Sequence, residues 1–340
     1  MGALLSFVGV SILILFAVIG AKANMYTLLG VIIPYAAVAI FIVGVVIRVV
    51  RWGRTPVPFR IPTTCGQQKS LPWIKQNKIE NPTSTAGVIA RMFFEIFLFR
   101  SLFRNVKTEL RDGPKLDYAS AKWLWFVGLV FHWSFLVIVV RHMRFFLEKV
   151  PFLIQLAENL DGFLQIGVPG LYMTDVAIIG AVTFLYVRRV VIPQIHYISL
   201  PADYFPLVLI LGICGSGVLM RYFTKVHIVG VKAFTMGLVS FSPKIPEGIG
   251  TIFWVHIFLI SVLLAYFPFS KLVHMAGIFM SPTRNMMNNS RMVRHVNPWD
   301  YPVKMRTYAE YEDAFRDKMK AAGLPLEKDE EPVEQSEEKE

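Results

Sequence analysis

Residues 122–143, KWLWFVGLVFHWSFLVIVVRHM, and residues 251–274, TIFWVHIFLISVLLAYFPFSKLVH, are almost wholly apolar, yet each contains two histidines. Runs of ~20 apolar residues are long enough to cross a bilayer as a helix. Ionisable groups inside such runs are uncommon and mark function. Four more runs of this kind are present: 3–20, 26–49, about 171–190 and about 204–222. The two opening stretches extend to about 116–143 and 249–274. The sequence thus predicts an all-α membrane protein, a six-helix transmembrane bundle. The first run has no charged segment before it, so it reads as a retained helix rather than a cleaved signal.

Composition agrees. Of 340 residues, 54% are hydrophobic and 17% charged, with a mean hydropathy of +0.50. A soluble domain has ~25% charged residues. The net charge of +11 does not indicate nucleic-acid binding in so apolar a chain; it indicates orientation. Residues 51–118 hold 12 Lys/Arg (Arg51, Arg54, Arg60, Lys69, Lys75, Lys78, Arg91, Arg100, Arg104, Lys107, Arg111, Lys115) against five acids. Arg188, Arg189, Arg284, Arg291 and Arg294 fall on the same side. The positive-inside rule makes that side cytoplasmic, with both termini there and the chain multi-pass in the cell inner membrane.

Four regions follow: 1–50, two N-terminal transmembrane helices; 51–115, a basic cytoplasmic loop; 116–275, a four-helix core; 276–340, a cytoplasmic tail. Residues 55–82 read as irregular. Apolar residues at helical spacing over 85–110 suggest a basic amphipathic helix on the inner leaflet, as a lipid anchor or a partner platform. A short helix is expected at 305–322, closed by Gly323, with disorder from about 327. Cys65 and Cys214 form no CxxC pair, so this chain offers no protein-bound iron–sulfur cluster.

His132 and His142 are ten residues apart, about 80° around a helix; His256 and His274 are eighteen apart, five full turns. The two helices run antiparallel. His132 therefore faces His274 near the cytoplasmic side, and His142 faces His256 near the periplasmic side. Two imidazoles facing each other can fill both axial positions of a haem iron, which then relays single electrons. Each histidine alone could instead snorkel or bond a neighbouring helix. Gly128, Gly212, Gly215 and Gly217 either admit a flat macrocycle or allow close helix packing.

Arg141, Arg144 and Arg221 have the charge and depth for haem propionates or a quinol site, with Lys122 and Lys271 as cytoplasmic counterparts; the alternative is interfacial flanking. Asp175 is either a quinol proton acceptor or a helix-start acid. Glu158 and Asp161 read as solvated loop residues. His196, His227 and His295 read as surface or structural, and Trp52, Trp73, Trp123, Trp125, Trp133, Trp254 and Trp299 as an aromatic belt.

The 10- and 18-residue histidine spacings resemble those of the gamma subunit of respiratory nitrate reductase, a di-haem b quinol-oxidising family with five helices. The resemblance covers about 26–275, and the first span would be an addition. The extra helix, the basic loop, GSGVLMRY at 215–222 and SPTRNMMNNSRMVRHVNPW at 281–299 resemble one branch more closely: the DsrM-type cytochrome b subunits of DsrMKJOP complexes. That resemblance implies two haem b groups, menaquinol as substrate and a cytoplasmic iron–sulfur (DsrK-like, heterodisulfide reductase-like) partner in dissimilatory sulfate/sulfite reduction. It also implies a periplasmic multihaem cytochrome c and further membrane subunits (DsrJ-, DsrO- and DsrP-like). The chain would be an electron-transfer subunit rather than a complete enzyme. Two other readings stand beside it: a nitrate reductase gamma-type subunit of another complex, and a haem-free proton or ion transporter with histidine relays. A plain structural anchor would need no histidine pairing.

Overall fold

Apolar residues surround residues 122–142 on every side, and a helix apolar all round belongs in a protein core or in lipid. In the computed structural model these residues form α5 (Lys122–His142), 21 residues long, or roughly 31 Å at 1.5 Å per residue. Residues 1–55, 66–104, 107–113, 115–119, 121–163, 170–293 and 302–328 are described. Arg60, Cys65, Arg294, His295, Trp299 and the acidic stretch from 329 lie outside them.

The chain begins with α1 (Gly2–Lys22), a π-helical turn at Leu28–Ile32 and α2 (Ile33–Gly53). Then come α3 (Thr85–Leu98), α4 (Arg100–Arg104) and a hairpin of β1 (Lys107–Arg111) and β2 (Lys115–Ala119). After α5 follow α6 (Phe152–Asp161), α7 (Met173–Val191), α8 (Pro193–Ile198), α9 (Pro201–Val218) and α10 (Ile228–Val239). The unit closes with α11 (Thr251–Tyr266), α12 (His274–Gly277) and α13 (Pro282–Asn285). A second unit, residues 295–340, contains α14 (Tyr308–Ala321), started by a Thr307–Glu310 capping box.

Among the described residues, five helical segments are long and apolar enough to cross a membrane: Gly2–Lys22, Leu28–Gly53, Lys122–Phe145, Pro201–Thr224 and Thr251–Phe269. The expected fourth span is the 19-residue α7. Asp175, Arg188 and Arg189 near its ends keep it outside that set.

α5 packs on α7, α7 on α9, and α9 on α11 and α1; α2 closes against α11. α5 and α11 do not pack along each other, which leaves a horseshoe open between the two histidine-bearing helices. The main core joins α1, α9, α10 and α11 through Val10, Ala17, Leu209, Phe234, Trp254 and Leu259. Ile178 and Val182 of α7 and Ile210 of α9 form a smaller cluster.

Several expectations change. The third span starts at Lys122, not 116, because KTELR and KLDYA alternate about an Asp112-Gly113 turn with Gly113 at φ +84°. The helix expected over 85–110 stops at Leu98, where Phe99 turns to left-handed backbone; α4 follows, and the chain is extended from Lys107. Residues 228–239 form a further helix, α10, and 152–161 form α6. The sixth span is not continuous to 274. Pro268 breaks it into a 3-10 turn at Phe267–Phe269, an extended Ser270 and a second 3-10 turn at Lys271–Val273. The break rests on Gly44 of α2, where an added Cβ would fall 2.6 Å from Pro268.

Gly30 allows a similar approach: its Cβ would lie 2.4 Å from Trp254 and 2.9 Å from Phe234. Overpacking of this kind costs about 1–3 kcal/mol. Gly30→Ala is therefore expected to lower the thermal-shift midpoint of the detergent-solubilised protein by several degrees. Gly9→Ala, with nothing within 4 Å of the new methyl, leaves it unchanged.

Candidate functional site

The four histidines of the two opening stretches come together in the pairs that the spacing predicts, with His274 exposed and beyond the Thr251–Phe269 span. His132 and His274 have ring centroids 5.9 Å apart, and His142 and His256 6.5 Å apart. The geometry differs between them: the first pair is near-perpendicular at 84°, the second near-parallel at 25°.

Each ring is tied through Nδ1. His132 reaches the Gly128 carbonyl at 2.7 Å, His142 the Ile138 carbonyl at 2.7 Å and His274 the Lys271 carbonyl at 2.8 Å. A carbonyl only accepts, so each Nδ1 carries the proton. His256 Nδ1 meets Ser216 Oγ at 2.8 Å. That hydroxyl donates to the Ile213 carbonyl at 2.8 Å, so it too accepts from the imidazole. All four tautomers leave the Nε2 lone pair free, which is the state a metal ligand requires. Among the described residues, no Nε2 makes a hydrogen bond.

A metal lies ~2.0–2.1 Å from an imidazole nitrogen, and ~1.1 Å more reaches each ring centre, so a shared metal separates centroids by roughly 6 Å. Both observed separations match. Among the described residues no group of three or more His, Cys, Asp or Glu could hold a metal by itself. Two protein ligands per metal suit a macrocycle that brings its own nitrogens. The surroundings fit a flat group. A Cβ at Gly217 would touch the His256 ring at 3.4 Å, while Gly215 and Gly180 have nothing within 4 Å. Gly128 has only Leu102 nearby, at 3.7 Å, whereas Gly212 packs on Leu259 and serves helix contact.

A polar cluster closes the His142 end. Arg141 is buried, and its guanidinium donates to Asp161, to Thr174 at 3.1 Å and to Asp175 at 3.4 Å. Arg144 pairs with Glu158. The Tyr172 ring lies 3.5 Å from the Arg141 guanidinium and 3.8 Å from that of Arg221, both cation–π contacts. Its hydroxyl donates to Glu158 at 2.8 Å, and burial together with this bond pushes the phenol above its usual range. Tyr222 donates to Asp175 at 3.0 Å and accepts from the Tyr172 amide at 3.0 Å. Arg221 Nε is buried with no partner among the described residues, although Nη2 reaches the Gly170 carbonyl at 3.3 Å. Beside this end, a cleft of about 460 Å³ is lined by Thr224, Lys225, His227, Gly248 and Thr251.

The sequence reading of Glu158 and Asp161 as solvated loop residues does not hold. Asp161 is 4% exposed and caps the start of α7, accepting from the Thr174 amide at 2.8 Å. The missed signal was α6, which carries both acids to the Arg141 end. At the His132 end, Asp203 was missed too. It accepts from the Leu200 amide at 3.0 Å and pairs with Lys271 at 2.6 Å, beside the carbonyl that ties His274. Lys122 is exposed. His196 reaches the Tyr204 hydroxyl at 3.2 Å, and His227 caps α10 by accepting from the Gly230 amide. Cys214 lies partly buried beside the Ile178–Val182–Ile210 cluster.

Comparison with known proteins bears on this arrangement. The family model described as nitrate reductase gamma subunit matches residues 115–296. A protein of Archaeoglobus fulgidus, an Hdr-like menaquinol oxidoreductase cytochrome b-like subunit, is 45% identical over 278 residues, covering 80% of this chain and 83% of its own. A protein of the same description from Archaeoglobus profundus is 42% identical over 275 residues, covering 79% and 81%. The histidine-bearing core thus falls within a matched family, and the chain belongs to the nitrate reductase gamma subunit family.

Proposed function

We propose that this chain is the di-haem cytochrome b subunit of a respiratory membrane complex. It oxidises menaquinol at its periplasmic end and delivers the electrons to a cytoplasmic iron–sulfur subunit. The observation that carries the reading is the set of four Nδ1–H-tied histidines, paired across an open gap at a metal-spanning distance. His132 and His274 would hold one haem, and His142 and His256 the other. Haem b held by these residues would supply one-electron relay.

The chain's own residues set the conditions. Backbone carbonyls and Ser216 fix the imidazole tautomers. Gly215 and Gly217 leave room on α9. Arg221 Nε, buried and without a partner among the described residues, offers a donor to a propionate or to the quinol headgroup, while Arg141 and Arg144 are committed to Asp161 and Glu158. Quinol oxidation releases protons, and Asp175, hydrogen-bonded to Tyr222, is an acceptor at that end. The cleft at Thr224–Thr251 has the volume of a small-molecule site.

α7 serves as the sixth span: its charges sit at its ends, Asp175 is paired, and Arg188 and Arg189 can reach an interface. The basic residues of 51–118 put the His132 end and both termini in the cytoplasm of an inner membrane. The relatives' description as parts of an Hdr-like menaquinol oxidoreductase supports a heterodisulfide reductase-like (DsrK-like) partner. Dissimilatory sulfate/sulfite reduction, with a periplasmic multihaem cytochrome c and DsrJ-, DsrO- and DsrP-like subunits, is the setting that fits such a partner.

Two experiments test this reading. His142→Ala is expected to halve the haem b signal in a reduced-minus-oxidised spectrum and to abolish menaquinol oxidation; two haems retained per chain would refute the pairing. Arg141→Gln and Arg221→Gln should separate structure from function. The first leaves Asp161 buried without its cation, a loss of about 3–5 kcal/mol, and lowers the thermal midpoint sharply. The second keeps the midpoint and reduces haem content or quinol turnover.

A further inference from the structure

The helix α3 is built inside out. Its buried face is Val88, Arg91 and Glu95, with Arg91 2% and Glu95 5% exposed. At 100° per residue, the opposite face is Ala86, Ile89, Ala90, Phe93 and Phe97. There Ile89 is 66%, Phe93 53% and Phe97 40% exposed. A water-facing helix has the reverse pattern.

The buried charges fix this rotation. Arg91 donates to the carbonyls of Glu80 at 2.8 Å, Arg284 at 2.6 and 3.1 Å, and Met286 at 2.9 Å. Glu95 accepts from the Ser101 hydroxyl and amide and lies 3.8 Å from Arg284. Turning the helix over would strip both charges of these partners, so the apolar face must point outward.

The C-terminal end of α3 is equally unusual. A helix end leaves carbonyls unpaired, and hydrocarbon cannot satisfy them. Here the Leu98 carbonyl accepts from Trp125 Nε1 at 2.7 Å and the Phe97 carbonyl from Trp133 Nε1 at 3.2 Å. Both indoles belong to α5. Phe99, in left-handed backbone at φ +48°, then sets its ring 4.8 Å from His132, and Leu102 approaches Gly128. Gly128 and His132 lie six and ten residues into α5, roughly 9–15 Å along its axis. α5 is just long enough to span a ~30 Å hydrocarbon core, so that level is inside it. The Phe97 ring lies 6.2 Å from Trp133, itself 43% exposed, which joins the α3 face to the outer surface of α5.

We propose that α3 is a re-entrant helix. Its Ala86–Ile89–Ala90–Phe93–Phe97 face lies against lipid acyl chains, and its C-terminal end is sunk in the bilayer beside His132. The occupant of the face is lipid, because the face continues the apolar surface of a span. The proposal rests on reading α5 as membrane-spanning. The indole bonds are the device that allows a helix to end at that depth.

The test is spin-label accessibility on the whole complex in lipid nanodiscs. Cys65 and Cys214 are first replaced by alanine, and single labels are placed through Ile89→Cys, Phe93→Cys and Phe97→Cys. Leu136→Cys, on the exposed face of α5, reports on the span itself. Labels at 89, 93 and 97 are expected to collide several-fold more with oxygen than with a water-soluble nickel chelate, as at 136. Nickel access at 93 and 97 with an oxygen-accessible 136 would overturn the proposal and leave the span reading intact. Access by neither reagent would also overturn it, by showing that a protein partner covers the face. Nickel access at 136 would remove the span reading and the proposal together. If one label prevents assembly, the other two positions carry the same outcomes.

Discussion

An imidazole has two ring nitrogens, and the one that holds the proton has no lone pair to give. In water the choice is nearly free; in an apolar helix it depends on whatever acceptor lies within reach. Here His132 and His142 each meet the carbonyl four residues earlier on α5, so the choice is made within one helix. His256 cannot be set in the same way, because its acceptor is Ser216 on α9. The packing of α9 on α11 is therefore part of the chemistry: a shift of α9 would release the tautomer of His256. Gly217 lies beside the His256 ring, where an added Cβ would come to 3.4 Å of it.

The proposed shared site of each histidine pair also needs a gap, and helices left to themselves close gaps. α5 is kept from α11 because α7 and α9 stand between them around the horseshoe, joined by Ile178, Val182 and Ile210. At the His142 end the brace is polar. Arg141, Asp161, Thr174, Asp175, Tyr172 and Tyr222 tie α5, α6, α7 and the end of α9 into one network. Buried charge is costly in such a place unless fully partnered. Arg221 completes this end by stacking on Tyr172 and reaching the Gly170 carbonyl, with Nε left without a partner among the described residues.

The apolar runs and the histidine spacings were legible in the sequence, because each rests on a single long-wavelength signal: hydrophobicity over twenty residues, or rotation along one helix. The 18-residue spacing led to the rings that lie near each other in the structure, but for an incomplete reason. Five turns of continuous helix would align His256 and His274, but Pro268 interrupts that helix, and His274 arrives through two 3-10 turns. What decides its position is Gly44 on α2, a contact 224 residues from Pro268 in sequence and invisible to periodicity. The inverted face of α3 was hidden for a similar reason. Arg91 and Glu95 look like solvent-facing charges until residues 284–286 supply their partners, and nothing local announces that pairing. The hairpin at 107–119 lay under a helical reading although its alternation and Asp-Gly turn were there to be read.

The two ends of the molecule are consequently built by different physics. At the His142 end, the histidines sit on unbroken helix and charged groups brace them. At the His132 end, His274 follows a proline break, its carbonyl acceptor belongs to Lys271, and Lys271 is itself held by the buried Asp203. The opposite ring is touched by Phe99 from outside the bundle. The Lys271 turn and Phe99 therefore act at that end beside two long-helix supports, the Gly128 carbonyl of α5 and Asp203 of α9. That asymmetry suits a chain in which one end meets a small lipid-soluble substrate and the other hands on to a protein.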